Sequence, residues 1–251
     1  MTIYGGPEIV TDGLVLHLDA ANSKSYSGSG TAWNDLSGNG NNGTLTNGPI
    51  YSSDNKGNII LDGTNDYIST NNINLSNTNK TSIDFWCKIL SYPEASGLGN
   101  ILIELSTDSN NVTTGFSINY SEDCCAIYNK TFPIAIGLKG NNGYNISYWP
   151  KTLVNDLQWH HWCVILDKSV SGAESFLYID SISRTGTLTS LANDNSNNYG
   201  DLPLYIGARG ASASGSFHSN VRISNIKIYN RTLTQNEILQ NYNALKGRFG
   251  L

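Results

Sequence analysis

Charge is scarce in this chain. Only 14% of the 251 residues are Asp, Glu, Lys or Arg, and they sum to a net charge of −5. A nucleic-acid partner needs a basic surface that displaces phosphate counterions, and this composition does not supply one. No apolar run approaches the ~20 residues that cross a bilayer, so membrane insertion is not expected. The opening Met1-Thr-Ile-Tyr-Gly-Gly-Pro7 has no basic stretch followed by an apolar one. No signal peptide is therefore read there, and folding in a cytoplasm is expected. There are six prolines and no charged or proline-rich tract. With no linker in view, the simplest organisation is one domain over residues 13–251 behind an N-terminal arm, residues 1–12.

Acidic catalytic signatures are missing as well. Glycoside hydrolysis needs two carboxylates across one bond, economically placed at alternating positions of a strand. The chain has six Glu, and only Glu104 and Glu174 fall in or beside predicted strands. Asp108 lies in a turn-like run, and Glu122-Asp123 would face opposite ways if extended. Four His are present: His17 lies opposite core leucines, His160 and His161 lie on opposite faces of one strand, and His218 sits in a Ser/Gly-rich loop. One of the paired His is expected to pack inside. There is no Gly-x-Ser-x-Gly elbow and no phosphate loop. The Gly207-to-Gly215 stretch reads as a flexible loop. An enzyme is not expected.

Cysteine is limited to four residues. Cys87 and Cys163 sit among apolar strand residues and read as buried, reduced thiols. Cys124-Cys125 are adjacent, but no second ligand pair stands at zinc spacing, so neither a metal nor a vicinal disulfide is assigned.

What the chain does contain is Asn, about an eighth of its residues, and 25 Gly, both suited to tight turns. Sequons such as Asn79-Lys-Thr81 follow from that abundance. Short apolar segments recur with turn residues between them, at 14–18, 58–61, 67–70, 82–90, 100–105, 115–120, 125–128, 134–138, 144–148, 160–167, 175–180, 204–206 and 221–229. That spacing predicts an all-β, two-sheet antiparallel sandwich. Residues 20–57 read as long loops pinned by Trp33 and Leu36, and Ser175–Asp180 reads as a central strand. Ile223 is out of phase with Ile226 and Ile228, which predicts a bulge near Ser224-Asn225. One helix is expected: Thr234-Gln-Asn-Glu237 is a capping box, Ile238, Leu239, Tyr242 and Leu245 follow at helical spacing, and Gly247 ends it.

These motifs carry a resemblance. Ile223-Ser-Asn-Ile-Lys-Ile-Tyr-Asn-Arg-Thr-Leu-Thr-Gln-Asn-Glu-Ile238 is similar to the closing motif of laminin-G-like, concanavalin A-like jelly rolls. Asp62-Gly-Thr-Asn-Asp-Tyr-Ile68, Phe85-Trp-Cys-Lys88 and Trp159-His-His-Trp162 resemble their early turn and core strands. The opening from Ile9 to Asn22, the Trp33-to-Gly43 stretch and the ending Tyr242–Leu251 resemble lectin-like structural proteins of tailed bacteriophages. That family has Asp-Gly in the hairpin where this chain has Asp180-Ser181, so a different turn type is anticipated there.

The resemblance implies a virion protein with other virion proteins as partners, such as an exterior capsid decoration, fibre or tail component. It also leaves open a carbohydrate-binding adhesin that recognises host surface glycans. It further implies calcium at a sandwich rim, for which Asp62, Asn65 and Asp66 are the candidate ligands. Read by themselves, the same residues are first of all ordinary turn chemistry, with fewer oxygens than a hard-cation site gathers. Asp19, Asp35 and Asn39-Gly-Asn-Asn42 form a weaker set. For sugar, Tyr144, Tyr148 and Trp149 are the candidate aromatic platform, since Tyr144 and Tyr148 share a face and Trp149 precedes Pro150. Core or interface packing is the competing fate for those rings.

Overall fold

The structure, a computed structural model, describes residues 7–91, 100–106, 114–120, 134–172, 174–188, 195–210 and 217–251. The Cys124-Cys125 pair, Asp108, Glu122-Asp123, the strand expected at 125–128 and residues 1–6 of the arm lie outside them.

Seventeen strands and one helix are described, in the order β1 (Leu14–Asp19), β2 (Ala32–Trp33), β3 (Gly43–Thr46), β4 (Ile50–Ser52), β5 (Asn58–Asp62), β6 (Tyr67–Asn74), β7 (Lys80–Ile89), β8 (Asn100–Leu105), β9 (Phe116–Tyr120), β10 (Ile134–Gly140), β11 (Gly143–Trp149), β12 (Trp159–Asp167), β13 (Ser175–Ile179), β14 (Ile182–Arg184), β15 (Thr187–Leu188), β16 (Asp201–Ile206), β17 (Asn220–Tyr229) and α1 (Gln235–Leu245). They form two antiparallel sheets. The eight-stranded sheet runs β14-β13-β12-β7-β17-β5-β4, with β1 also paired to β17. The nine-stranded sheet runs β15-β11-β10-β9-β8-β16-β6-β3-β2. This is the two-sheet antiparallel sandwich that the strand spacing predicts, in keeping with the jelly roll that the resemblance implies.

Alternation builds the core. Leu16, Leu18, Ile83, Phe85, Ile226 and Ile228 from one sheet meet Ile103, Leu105, Ile118, Ile136 and Leu204 from the other. Each such side chain contributes roughly 1.5–3 kcal/mol on burial. The register of β17 against β7 shifts between Ile223 and Asn225. That bulge brings Ile223 into the same core as Ile226 and Ile228.

The 20–57 segment corrects one expectation, because β2, β3 and β4 lie inside it. They are two to four residues long and too short to show a period, and they exist through pairing with neighbouring strands. Trp33 anchors the segment in the core, and the Leu36 amide donates to the His17 carbonyl. Asp35 gathers the rest of the loop by accepting from the amides of His17, Ser37 and Asn41.

A second correction concerns β13. Only β14 lies beyond it, and Phe176 is exposed, so it is the next-to-edge strand rather than a central one. The hairpin that joins them turns on Asp180 and Ser181, both at positive φ. That is the backbone of a type I′ turn, the type that Asp-Gly would favour, reached here without glycine.

Helix α1 starts as predicted. The Thr234 hydroxyl accepts from the Glu237 amide, and the Glu237 carboxylate accepts from the Thr234 amide. Its buried face is Ile238, Asn241 and Leu245, while Leu239 is exposed. Gly247 does not stop it, since the chain continues into a 3-10 turn over Lys246–Arg248.

Candidate functional site

The outer face of the nine-stranded sheet, away from the core, is set by the same alternation. In β8, Ile103 and Leu105 enter the core, so Glu104 faces out. In β16, Leu204 and Ile206 enter it, so Tyr205 faces out. Cross-strand registry lines these residues up. Thr44 opposes Ser69, Ser69 opposes Tyr205, Tyr205 opposes Glu104, Glu104 opposes Ser117, Ser117 opposes Gly137, and Gly137 opposes Ile146. The row crosses seven strands. At ~4.8 Å per step it is about 29 Å long.

Two glycines shape this face. A Cβ on Gly137 would sit 2.1 Å from the Tyr144 hydroxyl. Only a hydrogen fits there, so the Tyr144 phenol lies over the sheet beside Ser117. A Cβ on Gly210 would sit 2.8 Å from the Tyr205 ring. Both tyrosines are half-buried, as are Tyr67 and Phe217. Tyr67 and Tyr205 lie 6.3 Å apart between ring centres, and Tyr67 lies 6.4 Å from His218. The result is two half-open aromatic stations, Tyr67, Tyr205 and Phe217 on one side and Tyr144 on the other, with buried Glu104, Ser117 and Gly137 between them.

Glu104 stands in the middle of the row, 1% exposed. Ser106 donates to its Oε1 at 2.7 Å, the Gly210 amide also favours its charged form, and among the described residues Oε2 makes no hydrogen bond within ordinary length. Burial pushes its carboxyl above the ordinary range, and Ser106 and Arg209 offset this only in part. Arg209 approaches Oε2 through Nε at 3.6 Å, and its guanidinium lies over the Phe217 ring at 4.1 Å.

The structure divides the aromatic trio named from the sequence. Tyr144 and Tyr148 share the outer face through pairing with Lys139 and Ala135. Trp149 opposes Ile134 and enters the core, where its Nε1 donates to the Arg184 carbonyl. Tyr148 is also buried. Of the three, Tyr144 alone presents a half-open ring.

The Asp62–Asp66 turn spends its oxygens on itself. Asp62 Oδ1 accepts from the amides of Thr64 and Asn65, and Asp66 Oδ2 accepts from the Asp62 amide. The Asn65 carbonyl accepts from Asn47. The Thr64 amide is the chief reason the Asp62 carboxyl lies below the usual range, and burial raises that of Asp66. Among the described residues, no three His, Cys, Asp or Glu side chains gather as a metal site. Asp19, from the weaker set, is held bidentately by Arg248.

A second polar centre lies on the outer face of the smaller sheet, under α1. Asp84 is fully buried. It accepts from Lys227 Nζ at 2.7 Å and from Asn241 Nδ2 at 3.0 Å, and His161 Nε2 lies 2.9 Å away. Burial alone would raise the Asp84 carboxyl, but Lys227 and His161 overcome it and hold it far below the usual range. Asn241 also accepts from the Val10 amide, so the centre binds both chain ends to the sheet. Every partner is internal, and its role is architectural. His161 is therefore the packed member of the His pair, while His160 lies between Asp180 and Asp156 at 2.8 and 2.9 Å.

The sequence reading passed over Tyr205, Tyr67, Phe217 and Arg209. Tyr205 was legible, since it alternates between Leu204 and Ile206. Arg209 was not, because its partners Glu104 and Phe217 are distant or loop residues.

Comparison with known proteins adds the following. Residues 62–239 match the model of the concanavalin A-like lectin/glucanases superfamily. No curated protein matches significantly by sequence. Among solved structures, the binding domain of botulinum neurotoxin DC, in complex with SialylT, matches with a TM-score of 0.65 and 15% identity over 94% of this chain and 52% of that one. The binding domain of Paraclostridial Mosquitocidal Protein 1 matches with a TM-score of 0.65 and 17% identity over 93% and 52%. A structure of botulinum neurotoxin type C, whose cell entry is described as dependent on interaction with two ganglioside molecules, matches with a TM-score of 0.64 and 15% identity over 94% and 52%. The chain spans about half the length of these structures, and at such identities the likeness is one of fold.

Proposed function

This chain belongs to the concanavalin A-like lectin/glucanases superfamily, and on that premise we propose that it is a non-catalytic module that binds glycans through the outer face of its nine-stranded sheet. The observation that carries this reading is the pair of half-open aromatic stations on that face, Tyr205 with Tyr67 and Phe217 beside exposed Thr44 and half-buried Ser69, and Tyr144 over Gly137, which flank the buried Glu104 and Ser117. Sugar rings stack their apolar faces on aromatic side chains and bond their hydroxyls to polar neighbours, which is the mixture this face offers. Catalysis would require paired carboxylates. Glu104 has Tyr205 and Ser117 as register neighbours, and the charged groups acting on it are the cations Arg209 and Lys139. The two ganglioside- or sialyl-linked neighbours share the fold and are consistent with this use of it.

The resemblance of both chain ends to lectin-like bacteriophage structural proteins supports a location on the outside of a virion, where the module adheres to host glycans while docked on other virion proteins. A glycan array on the purified chain tests the first part. Binding of oligosaccharides that Tyr205→Ala abolishes is the expected result, and a blank array overturns it. Labelling of assembled particles with an antibody to this chain tests the second.

A further inference from the structure

We propose that Arg209 reads a carboxylate on the bound saccharide, so that the ligands of this face are acidic glycans. The inference rests on the glycan-binding reading and names its substrate class. Arg209 is held from two sides. Behind it, Nε faces Glu104 Oε2 at 3.6 Å, beyond hydrogen-bond length. Beneath it, the guanidinium stacks on Phe217 at 4.1 Å. Its side chain is 24% exposed, and its two terminal amino groups make no hydrogen bond to any described residue.

A planar donor fork that is fixed in place and unspent on its outer edge is the geometry that takes a carboxylate through two parallel bonds. A purely structural arginine would close that fork on Glu104, as Arg248 does on Asp19. Here, among the described residues, Glu104 Oε2 has no hydrogen bond within ordinary length although the acid is 1% exposed, and its other donors are Ser106 and the Gly210 amide. Glu104 thus positions Arg209 without saturating it. The Arg209 guanidinium is thus the cation that an anionic ligand group would meet beside Tyr205. Tyr205, opposite Glu104 in the row, supplies the ring against which the sugar stacks.

The test compares acidic glycans with their neutral counterparts, sialylated against desialylated and uronic against neutral, on the full chain. The best pair is then titrated by calorimetry. The acidic member should bind more tightly, and less so as salt is raised. Arg209→Ala should weaken the acidic member about 10- to 100-fold and the neutral one little. Arg209→Lys should recover only part of the loss, because an ammonium lacks the fork. Melting curves of both variants should overlay the parent, which excludes loss through unfolding. Equal binding of both members, or full activity in Arg209→Lys, overturns the role of Arg209 and leaves glycan binding standing. Equal competition by acetate overturns the saccharide part. Binding of no glycan by the parent chain removes the underlying reading and this inference with it.

Discussion

Replacing Asp84 by Ala should be among the most damaging single changes in the molecule. Asp84 is fully buried and serves Lys227, His161 and Asn241 at once. Its loss leaves the Lys227 ammonium sealed in the protein with the side-chain Oδ1 of Asn225, 2.9 Å away, as its remaining acceptor among the described residues. Breaking a buried ion pair from one side costs roughly 3–5 kcal/mol. Each kcal/mol lowers the melting temperature of a chain this size by roughly 2–4 °C, so a fall of roughly 6–20 °C is expected by calorimetry. Removing both charges, as Asp84→Leu with Lys227→Met, should recover about half of that loss, because no stranded charge remains. The pH dependence has a definite sense. Folding lowers the Asp84 pKa, so its contribution is complete above the unfolded value of about 3.9 and is lost as pH falls through the lower folded value. Asp84→Asn should therefore flatten the acid limb of the stability profile below about pH 4. A melting temperature within about 2 °C of the parent for Asp84→Ala would refute this account of the network.

Three further outcomes follow from the geometry. Burial opposes a charge on His160, but its bonds to Asp180 and Asp156 prevail and raise its pKa, so its small contribution is complete below about pH 6.5 and is lost as pH rises through the higher folded value; an NMR titration should place its midpoint above 6.5, and one at or below that refutes the pairing. Trp33→Ala should cost about 3–5 kcal/mol in denaturant unfolding, since this core ring anchors the long loop, and a cost near zero would show that the loop holds itself. Calcium should leave the melting temperature unchanged, because Asp62 and Asp66 already accept the turn's own amides; a rise that Asp66→Asn abolishes would place an ion there.

Much of the fold is legible in the sequence because it rests on local rules. Thr234 and Glu237 announce the helix start by spacing alone, and the phase slip at Ile223 announces the bulge. The failures share a physical cause, which is that the deciding partner is far away in the chain. Asn241 looks like a surface residue in its helix, yet it is buried because Asp84 and Val10 need it. Strands β2 to β4 have no pattern of their own and are held by β5 and β6. In the candidate site, alternation separates Trp149 from Tyr144 and Tyr148 and marks Tyr205 as outward. The pairing of Arg209 with Glu104 and Phe217 joins segments that no spacing rule connects.

Strand β17 sits between β7 and the pair β5 and β1, which has a consequence for biosynthesis. On the ribosome, β1 has no sheet partner among the described strands until residues beyond 220 emerge. Until then the small sheet is three separate pieces, β14-β13-β12-β7, β5-β4 and β1, whose edges lie open to other nascent chains. Closure of this sheet therefore waits on residues 220–229, whose pairing joins all of these pieces at once.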